Sequence, residues 1–398
     1  MTSITNTSMN TPSGLTASSP IVVAWLLITC ATIFGMVIVG GVTRLTGSGL
    51  SMVDWQPIMG ILPPMNETDW RALFLAYQQF PEYQLYNRDM DLEGFKQIFY
   101  WEYAHRVLGR VIGLLFFLPM VILWVSQRLA SWIKPHLVIA LFLGGMQGLM
   151  GWYMVQSGLV DDARVSHYRL AAHLLLAMGL MAYIYWLALR SMGVHPNVQP
   201  ASATQEGSGQ LMGVPESAQQ GSGQLMGVPE SVPERGLRTL VLVVLGLLGV
   251  QLLYGAFTAG SHAGYGYNTF PLMHDRWIAE AVMQMSPWWH NLTESTATIQ
   301  FIHRWLAVVL VVAIAWLWWR ARRVSRALMW SSAVLLAAVL IQFMMGVLTL
   351  IKVVPLGLAS AHQGGACVVL LATVHVLYLV FREGADSAPE VADRAAVV

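Results

Sequence analysis

The stretch FYWEYAHRVLGRVIGLLFFLPMVILWV, residues 99–125, decides the fold class. After a polar start it runs as an almost unbroken apolar segment, of the length that crosses a bilayer as a helix. Its first turns nevertheless carry Glu102, His105, Arg106 and Arg110. Because ionisable side chains are costly inside a membrane, each of these four residues is a candidate functional residue.

The composition is that of an integral membrane protein. The 398 residues are 56% hydrophobic and only 11% charged, whereas a soluble domain carries about a quarter charged residues. Continuous apolar runs exclude a closed β-barrel, and a formal net charge of +1 gives no sign of nucleic-acid binding. We predict an all-α fold with eight transmembrane helices, at 21–43, 106–127, 136–156, 168–189, 237–259, 302–319, 328–350 and 359–381.

The distribution of basic residues predicts the topology. Lys and Arg concentrate in the connections at 128–134, 190–238 and 320–326, whereas the long connections at 44–101 and 260–300 hold few of them or more acidic residues. By the positive-inside rule, both termini and the basic connections are cytoplasmic. Residues 1–20 contain no Lys or Arg and lack the start of a signal peptide, so the first helix is expected to be retained.

A low-complexity linker divides the chain into two halves. It contains GSGQLMGVPES twice, at 207–217 and 221–231, and it is predicted to be disordered. The predicted organisation comprises a disordered N-terminus at 1–20, a four-helix bundle at 21–190, the linker at 191–235, a second four-helix bundle at 236–382 and a tail at 383–398.

The two halves resemble each other in three matched pairs of motifs. The pairs are EYAHRVLGRVIG with QFIHRWLAVVL, QGLMGWYMVQSG with QFMMGVLTLIKV, and AAHLLLA with SAHQGGA. They occur in the same order in both halves, which indicates an internal duplication. Each half thus has a histidine on its second helix and another on its fourth.

The duplicated histidines are His105 and His173 in the first half, and His303 and His362 in the second. Two histidines facing each other across a four-helix bundle are the arrangement expected for axial ligands of a haem iron. A lone intramembrane histidine more often makes interhelical hydrogen bonds, but the repeated pattern favours haem binding.

Three arginines accompany these histidines. Arg106, Arg110 and Arg304 are placed to pair with anionic haem propionates. Arg106 and Arg304 could alternatively anchor their helices at the membrane interface.

Glu102 breaks the symmetry between the halves, because Gln300 takes the equivalent place. A carboxylate three residues before His105 lies on the same helical face. Such a group suits an enzyme that moves protons during an oxidation. The alternative is a carboxylate that stabilises the start of a helix.

The chain resembles the haem A synthase family, of the type found in proteobacteria and mitochondria. The resemblance rests on GGVTRLTGSGLSMVDWQPIMGILPP, FKQIFYWEYAHRVLGRVIG, YRLAAHLLLA, YNTFPLM, QFIHR and SAHQGGA. These motifs cover nearly the whole chain apart from its termini and the linker. The segment AGSHAG at 259–264 departs from the usual form, with Ser261 and His262 unexpected.

The resemblance implies an oxidoreductase that converts the C8 methyl of haem O into the formyl group of haem A, for terminal oxidases. It implies that His303 and His362 hold a haem b cofactor. It also implies that His105 and His173 form the substrate site, with Glu102 as the essential acid.

The expected partners are haem O as substrate, haem O synthase, an electron donor and further copies of the chain in a bacterial inner membrane. Two other classes stay open at this point, a di-haem b-type electron-transfer protein and a haem-free transporter.

Overall fold

The computed structural model describes residues 19–52, 62–158, 164–193 and 235–386. Within these ranges the chain is helical and forms no β-strand, which confirms the all-α fold. The predicted linker lies outside the described residues except at its two ends, as do residues 1–18, residues 387–398 and part of the first connection.

Eight of the described helices are long and apolar enough to cross a membrane, with mean hydropathies of 1.5 to 2.6 over 18 residues. They are α1 (Pro20–Leu45), α4 (Leu92–Val125), α5 (Ile133–Gln156), α6 (His167–Gly193), α7 (Arg235–Gly260), α8 (Thr296–Ala321), α9 (Arg326–Ile351) and α10 (Leu356–Asp386). Four short helices lie between them, namely α2 (Glu67–Tyr77), α3 (Pro81–Tyr86) and the 3-10 helices η1 (Ala263–Tyr265) and η2 (Trp288–Leu292). The eight predicted spans are confirmed.

Helix α4 begins fourteen residues earlier than the predicted span at 106–127. The side chain of Asp91 caps it by accepting a hydrogen bond from the Gly94 amide at 2.8 Å. Its first turns then pack Phe95 and Phe99 against the short helix α2. Glu102 therefore lies ten residues inside a continuous helix, so it does not stabilise a helix start.

The helices of each half contact one another in turn around a ring. In the first half α1 and α5 both contact α4 and α6, and in the second α8 and α10 both contact α7 and α9. These contacts are the ones that two four-helix bundles require. However, α1 and α6 also pack on α10, and one apolar cluster runs through both halves. The division into two separate bundles stays a prediction.

The contact between α1 and α10 joins the halves at small residues. The Gln363 side chain donates to the Val37 carbonyl at 2.7 Å. A Cβ added to Gly41 would lie 2.5 Å from Gln363 Oε1, and one added to Gly364 would lie 2.6 Å from Ile38 Cδ1. Glycine thus permits the close approach of two membrane helices.

One end of the molecule, here termed the loop end, is where α1, α5, α7 and α9 finish and α4, α6, α8 and α10 begin. There α2 and α3 pack on the start of α4 through an aromatic cluster that includes Trp70, Tyr77 and Phe95. The buried Glu82 carboxylate accepts a hydrogen bond from the Tyr77 hydroxyl at 3.1 Å. Desolvation raises the pKa of Glu82 to about 7, with a further contribution from the charge of Glu102.

We expect Glu82→Gln to stabilise the protein at alkaline pH. Folding raises the pKa of this carboxyl from its ordinary 4.5 to about 7, so the folded state binds the proton more tightly than the unfolded state. Stability is then highest below pH 4.5 and falls as the pH rises towards 7. The amide removes this penalty of up to about 3 kcal/mol at pH 8, and it still accepts a hydrogen bond from Tyr77.

Thermal unfolding in detergent should therefore show a higher Tm for Glu82→Gln at pH 8 and little change at pH 5. Glu67→Gln, at an exposed position paired with Arg71, is the matched control. Equal effects of Glu82→Gln at both pH values would contradict the burial argument.

Candidate functional site

His303 and His362 face each other in the second half. Their ring centroids are 6.4 Å apart and their planes are nearly perpendicular, at 89°. Both line an apolar cavity of about 250 Å³. Metal–imidazole bonds are about 2 Å long, so one metal atom bound by both rings fits in this gap.

In the first half, His105 and His173 occupy the corresponding places on α4 and α6. His105 and His173 lie close enough for their charges to interact. The structure therefore brings together the predicted histidines of each half, at the loop end of the molecule.

Each of the four histidines lies against a glycine on the preceding helix of its half. Gly40 faces His105, Gly151 faces His173, Gly255 faces His303 and Gly346 faces His362. A Cβ at these glycines would lie 3.0, 3.0, 3.2 and 2.8 Å, in that order, from the nearest imidazole atom. Any larger residue would therefore displace the ring.

Glutamines form a second set of neighbours. Gln251 donates to His303 Nδ1 at 3.1 Å, Gln147 lies 3.3 Å from His173 Nε2, and Gln342 donates to the His362 carbonyl at 2.7 Å.

Two of the imidazoles keep a buried nitrogen in need of a partner. Within the described part of the chain, Nδ1 of His173 and Nδ1 of His362 make no hydrogen bond. A buried nitrogen without a partner is costly in a merely structural histidine. Such nitrogens are compatible with a site that holds a ligand.

Glu102 is buried, at 3% exposed, and is held by three residues. Oε2 accepts hydrogen bonds from the Ser51 hydroxyl at 2.8 Å and from the Met52 amide at 2.7 Å. Oε1 accepts from Arg106 Nε at 3.0 Å. The carboxylate therefore fixes the segment that follows α1 onto α4, one turn from His105.

Arg106 shares in this arrangement, because its guanidinium also donates to the Met52 carbonyl at 2.9 Å. It is not extended into water as an interface anchor. Arg110 lies one turn further along α4 and is partly buried. A role for either arginine in binding a propionate stays a prediction.

The second half has the same arrangement with the opposite hydrogen-bond polarity. Gln300 donates to the carbonyls of Ala263 at 3.0 Å and Gly266 at 2.6 Å, where Glu102 accepts from donors. Gln300 Oε1 in turn accepts from Arg304 at 3.3 Å.

Arg304 extends this clamp along the segment after α7. Its guanidinium donates to the carbonyls of Thr269 at 2.8 Å, Leu272 at 3.2 Å and Tyr267. Most of its donors are thereby used, although it also lines the cavity.

Sequence reasoning missed the glycines and the glutamines. The signal for two of each was present in the matched motifs QGLMG and QFMMG, which align Gln147 with Gln342 and Gly151 with Gly346. The first-helix glycines share only a short match, GGVT at 40–43 with GAFT at 255–258, which is too brief to identify them by itself.

The remaining membrane histidines have other neighbours. His136 Nδ1 on α5 lies 2.7 Å from the Tyr183 hydroxyl, and His375 Nδ1 lies 3.2 Å from the Tyr185 hydroxyl. His167 lies at the start of α6 near Glu294.

This fold and these residues define a multi-pass α-helical membrane protein with an internally repeated pair of histidine sites. A family model described as "Cytochrome oxidase assembly protein" (COX15-CtaA) matches residues 23–374. The chain belongs to this family.

Curated relatives carry the name "Heme A synthase". The protein of Nitrosomonas eutropha is 40% identical over 381 residues, which cover 94% of this chain and 98% of the relative. That of Rhodospirillum centenum is 41% identical over 95% of this chain and 94% of its own length. That of Parvibaculum lavamentivorans is 41% identical over 88% and 92%.

We expect Gln300→Glu to destabilise the second half. A carboxylate cannot donate to the carbonyls of Ala263 and Gly266, and it brings negative charge against both of them. Losing these buried hydrogen bonds should lower the free energy of unfolding by roughly 1–3 kcal/mol, measured as a lower Tm in detergent. Gln79→Glu, at an exposed position, is the control. An unchanged Tm for Gln300→Glu would contradict the assigned polarity.

Proposed function

We propose that this chain acts as a haem A synthase, oxidising the C8 methyl of haem O to a formyl group. The observation that carries the proposal is the difference between the two repeated sites. Each places two histidines against glycines, but only the first has a carboxylate, Glu102, one turn before its histidine. The names of the relatives support the same activity.

His105 and His173 would bind the iron of haem O, the substrate. Many apolar side chains of the spanning helices are exposed on the outside of the molecule, so a substrate with a long isoprenoid tail can approach through the lipid. Arg110 and Arg106 are the nearby cations for its carboxylates. Arg106 would have to exchange its bond to the Met52 carbonyl to serve in this way.

His303 and His362 would bind a haem b cofactor. The 6.4 Å separation of their rings, the glycines behind them, the Nδ1 of His362 without a partner and the apolar cavity all fit such a group. When bound, it supplies one-electron redox chemistry. Gln251, hydrogen-bonded to His303, would orient that ring.

The reaction has a definite balance. Each hydroxylation replaces a C–H bond of the methyl group with C–OH. With O₂ as the oxidant, the second oxygen atom leaves as water and the step takes up two electrons and two protons. Two such steps give a geminal diol, which loses water to become the aldehyde.

Glu102 would serve the proton transfers of this reaction. It is fixed by Ser51, Met52 and Arg106 close to His105, and general acid–base groups act at such short range.

The proposed setting is a bacterial inner membrane with both termini cytoplasmic, based on the distribution of arginine. Haem O synthase would supply the substrate, and a separate electron donor would supply electrons. Both histidine pairs come from a single chain, and association with further copies of the chain stays a prediction.

The di-haem electron-transfer alternative is not supported by the comparisons, because the relatives are named as a synthase. A pure electron carrier also gives no reason for the difference between Glu102 and Gln300.

We expect His303→Ala and His362→Ala each to abolish bound haem b while leaving the helices folded. His173→Ala should retain haem b but lose haem O, because its ring belongs to the other site. Pyridine haemochrome spectra and mass analysis of extracted haems measure both contents. His375→Ala, remote from both pairs, is the control. Loss of haem b in His173→Ala but not in His303→Ala would reverse the assignment.

We expect Glu102→Gln to bind haem O but to form less than one hundredth of the haem A, because general acid–base groups contribute roughly 10²–10⁴-fold. Chromatography of haems from cells expressing the variant measures the ratio of haem O to haem A. Glu93→Gln, exposed on the same helix, is the matched control. Normal haem A formation by Glu102→Gln would reduce Glu102 to a clamp for the segment after α1.

A further inference from the structure

The cavity between His303 and His362 is lined in part by a cationic residue from the other half of the chain. At the loop end, Arg44 and Leu45 from the last turn of α1 join its lining, beside His262 and Tyr265. A first-half helix therefore forms part of a second-half cavity.

Arg44 reaches this cavity with an unsatisfied guanidinium nitrogen. Nη2 is buried and makes no hydrogen bond within the described residues. The residues that line the cavity, all within the described ranges, include no Asp or Glu. A buried cation that faces an apolar cavity is costly unless an anion pairs with it.

The other basic groups at this cavity are not equivalent to Arg44. Arg304 is hydrogen-bonded to three carbonyls of the segment after α7 through Nη1 and Nη2, and only its Nε is buried without a partner within the described residues. His262 is kept neutral, because burial, together with the charges of Arg44 and Arg164, lowers its pKa. Arg44 Nη2 is thus a buried donor available to an anionic ligand, and Arg304 Nε, from the second half, is another.

We propose that Arg44 binds a carboxylate of the group held between His303 and His362, so that α1 completes the binding site of the second half. This inference rests on the proposed function, which places a haem there. It adds Arg44 to Arg304, the residue for which the sequence had suggested this role. The second-half site then depends on both halves of the chain.

The pairing has an electrical consequence. Ferric iron carries one more positive charge than ferrous iron, so an un-neutralised carboxylate nearby favours the ferric form. Removing Arg44 should therefore shift the midpoint potential of this haem in the negative direction. A cation that only compensates the C-terminal end of α1 would leave both haem binding and potential unchanged.

The test compares Arg44→Gln and Arg44→Lys in the full-length protein, expressed in a host that makes no haem O. Haem loss to apomyoglobin and the midpoint potential are measured on the purified proteins. Arg164→Gln is the matched control, because Arg164 also acts on His262 but is exposed and does not line the cavity. His303→Ala reports whether the haem occupies the proposed site at all.

We expect Arg44→Gln to bind haem roughly tenfold more weakly, because one charged hydrogen bond is lost. Its haem should also have a more negative midpoint potential. Arg44→Lys should retain most of the binding and a potential near that of the wild type, and Arg164→Gln should match the wild type. Unchanged haem loss and potential in Arg44→Gln would overturn the inference, as would an equal loss in Arg44→Lys without a shift in potential. If His303→Ala keeps the wild-type haem, the proposed function itself fails at this site, whatever Arg44 does.

Discussion

The close contact between a glycine and an imidazole ring, made four times, is the constraint on which both sites depend. An imidazole needs room to stand between membrane helices, and in each half the first and third helices provide that room by lacking a side chain at Gly40, Gly151, Gly255 and Gly346. The helices can then pack closely while the rings point inward. Because the same device occurs in both halves, it is a property of the repeated unit.

The two halves differ in hydrogen-bond polarity at the residue one turn before the first histidine of each pair. Glu102 accepts from an amide and a hydroxyl, whereas Gln300 donates to two carbonyls. At the loop end, the segment after α1 therefore presents donors to Glu102, and the segment after α7 presents acceptors to Gln300. A carboxylate at one site and an amide at the other fits a division between proton transfer and electron transfer.

Signals within single segments predicted much of this structure. Apolar length predicted the eight helices, and repeated motifs predicted the histidines that meet in space. The early start of α4 was missed because its first turns carry polar residues and pack on α2 rather than in an apolar span. Arg106 and Arg304 also donate to backbone carbonyls of distant segments, and no side-chain pattern reveals these partners. Arg44 belongs to the first half but lines the cavity of the second half. Motifs within either half therefore could not predict its role.

The proposed function requires that one histidine pair holds a haem cofactor and the other a haem substrate. Acid–organic extraction of haems from the detergent-purified protein, made in cells that synthesise haem O, tests it most directly when the haems are separated and identified by mass. The expected result is haem b together with haem O or its hydroxylated or formyl products. Haem b alone would contradict the synthase and favour an electron carrier, and an absence of haem would contradict the assignment of all four histidines.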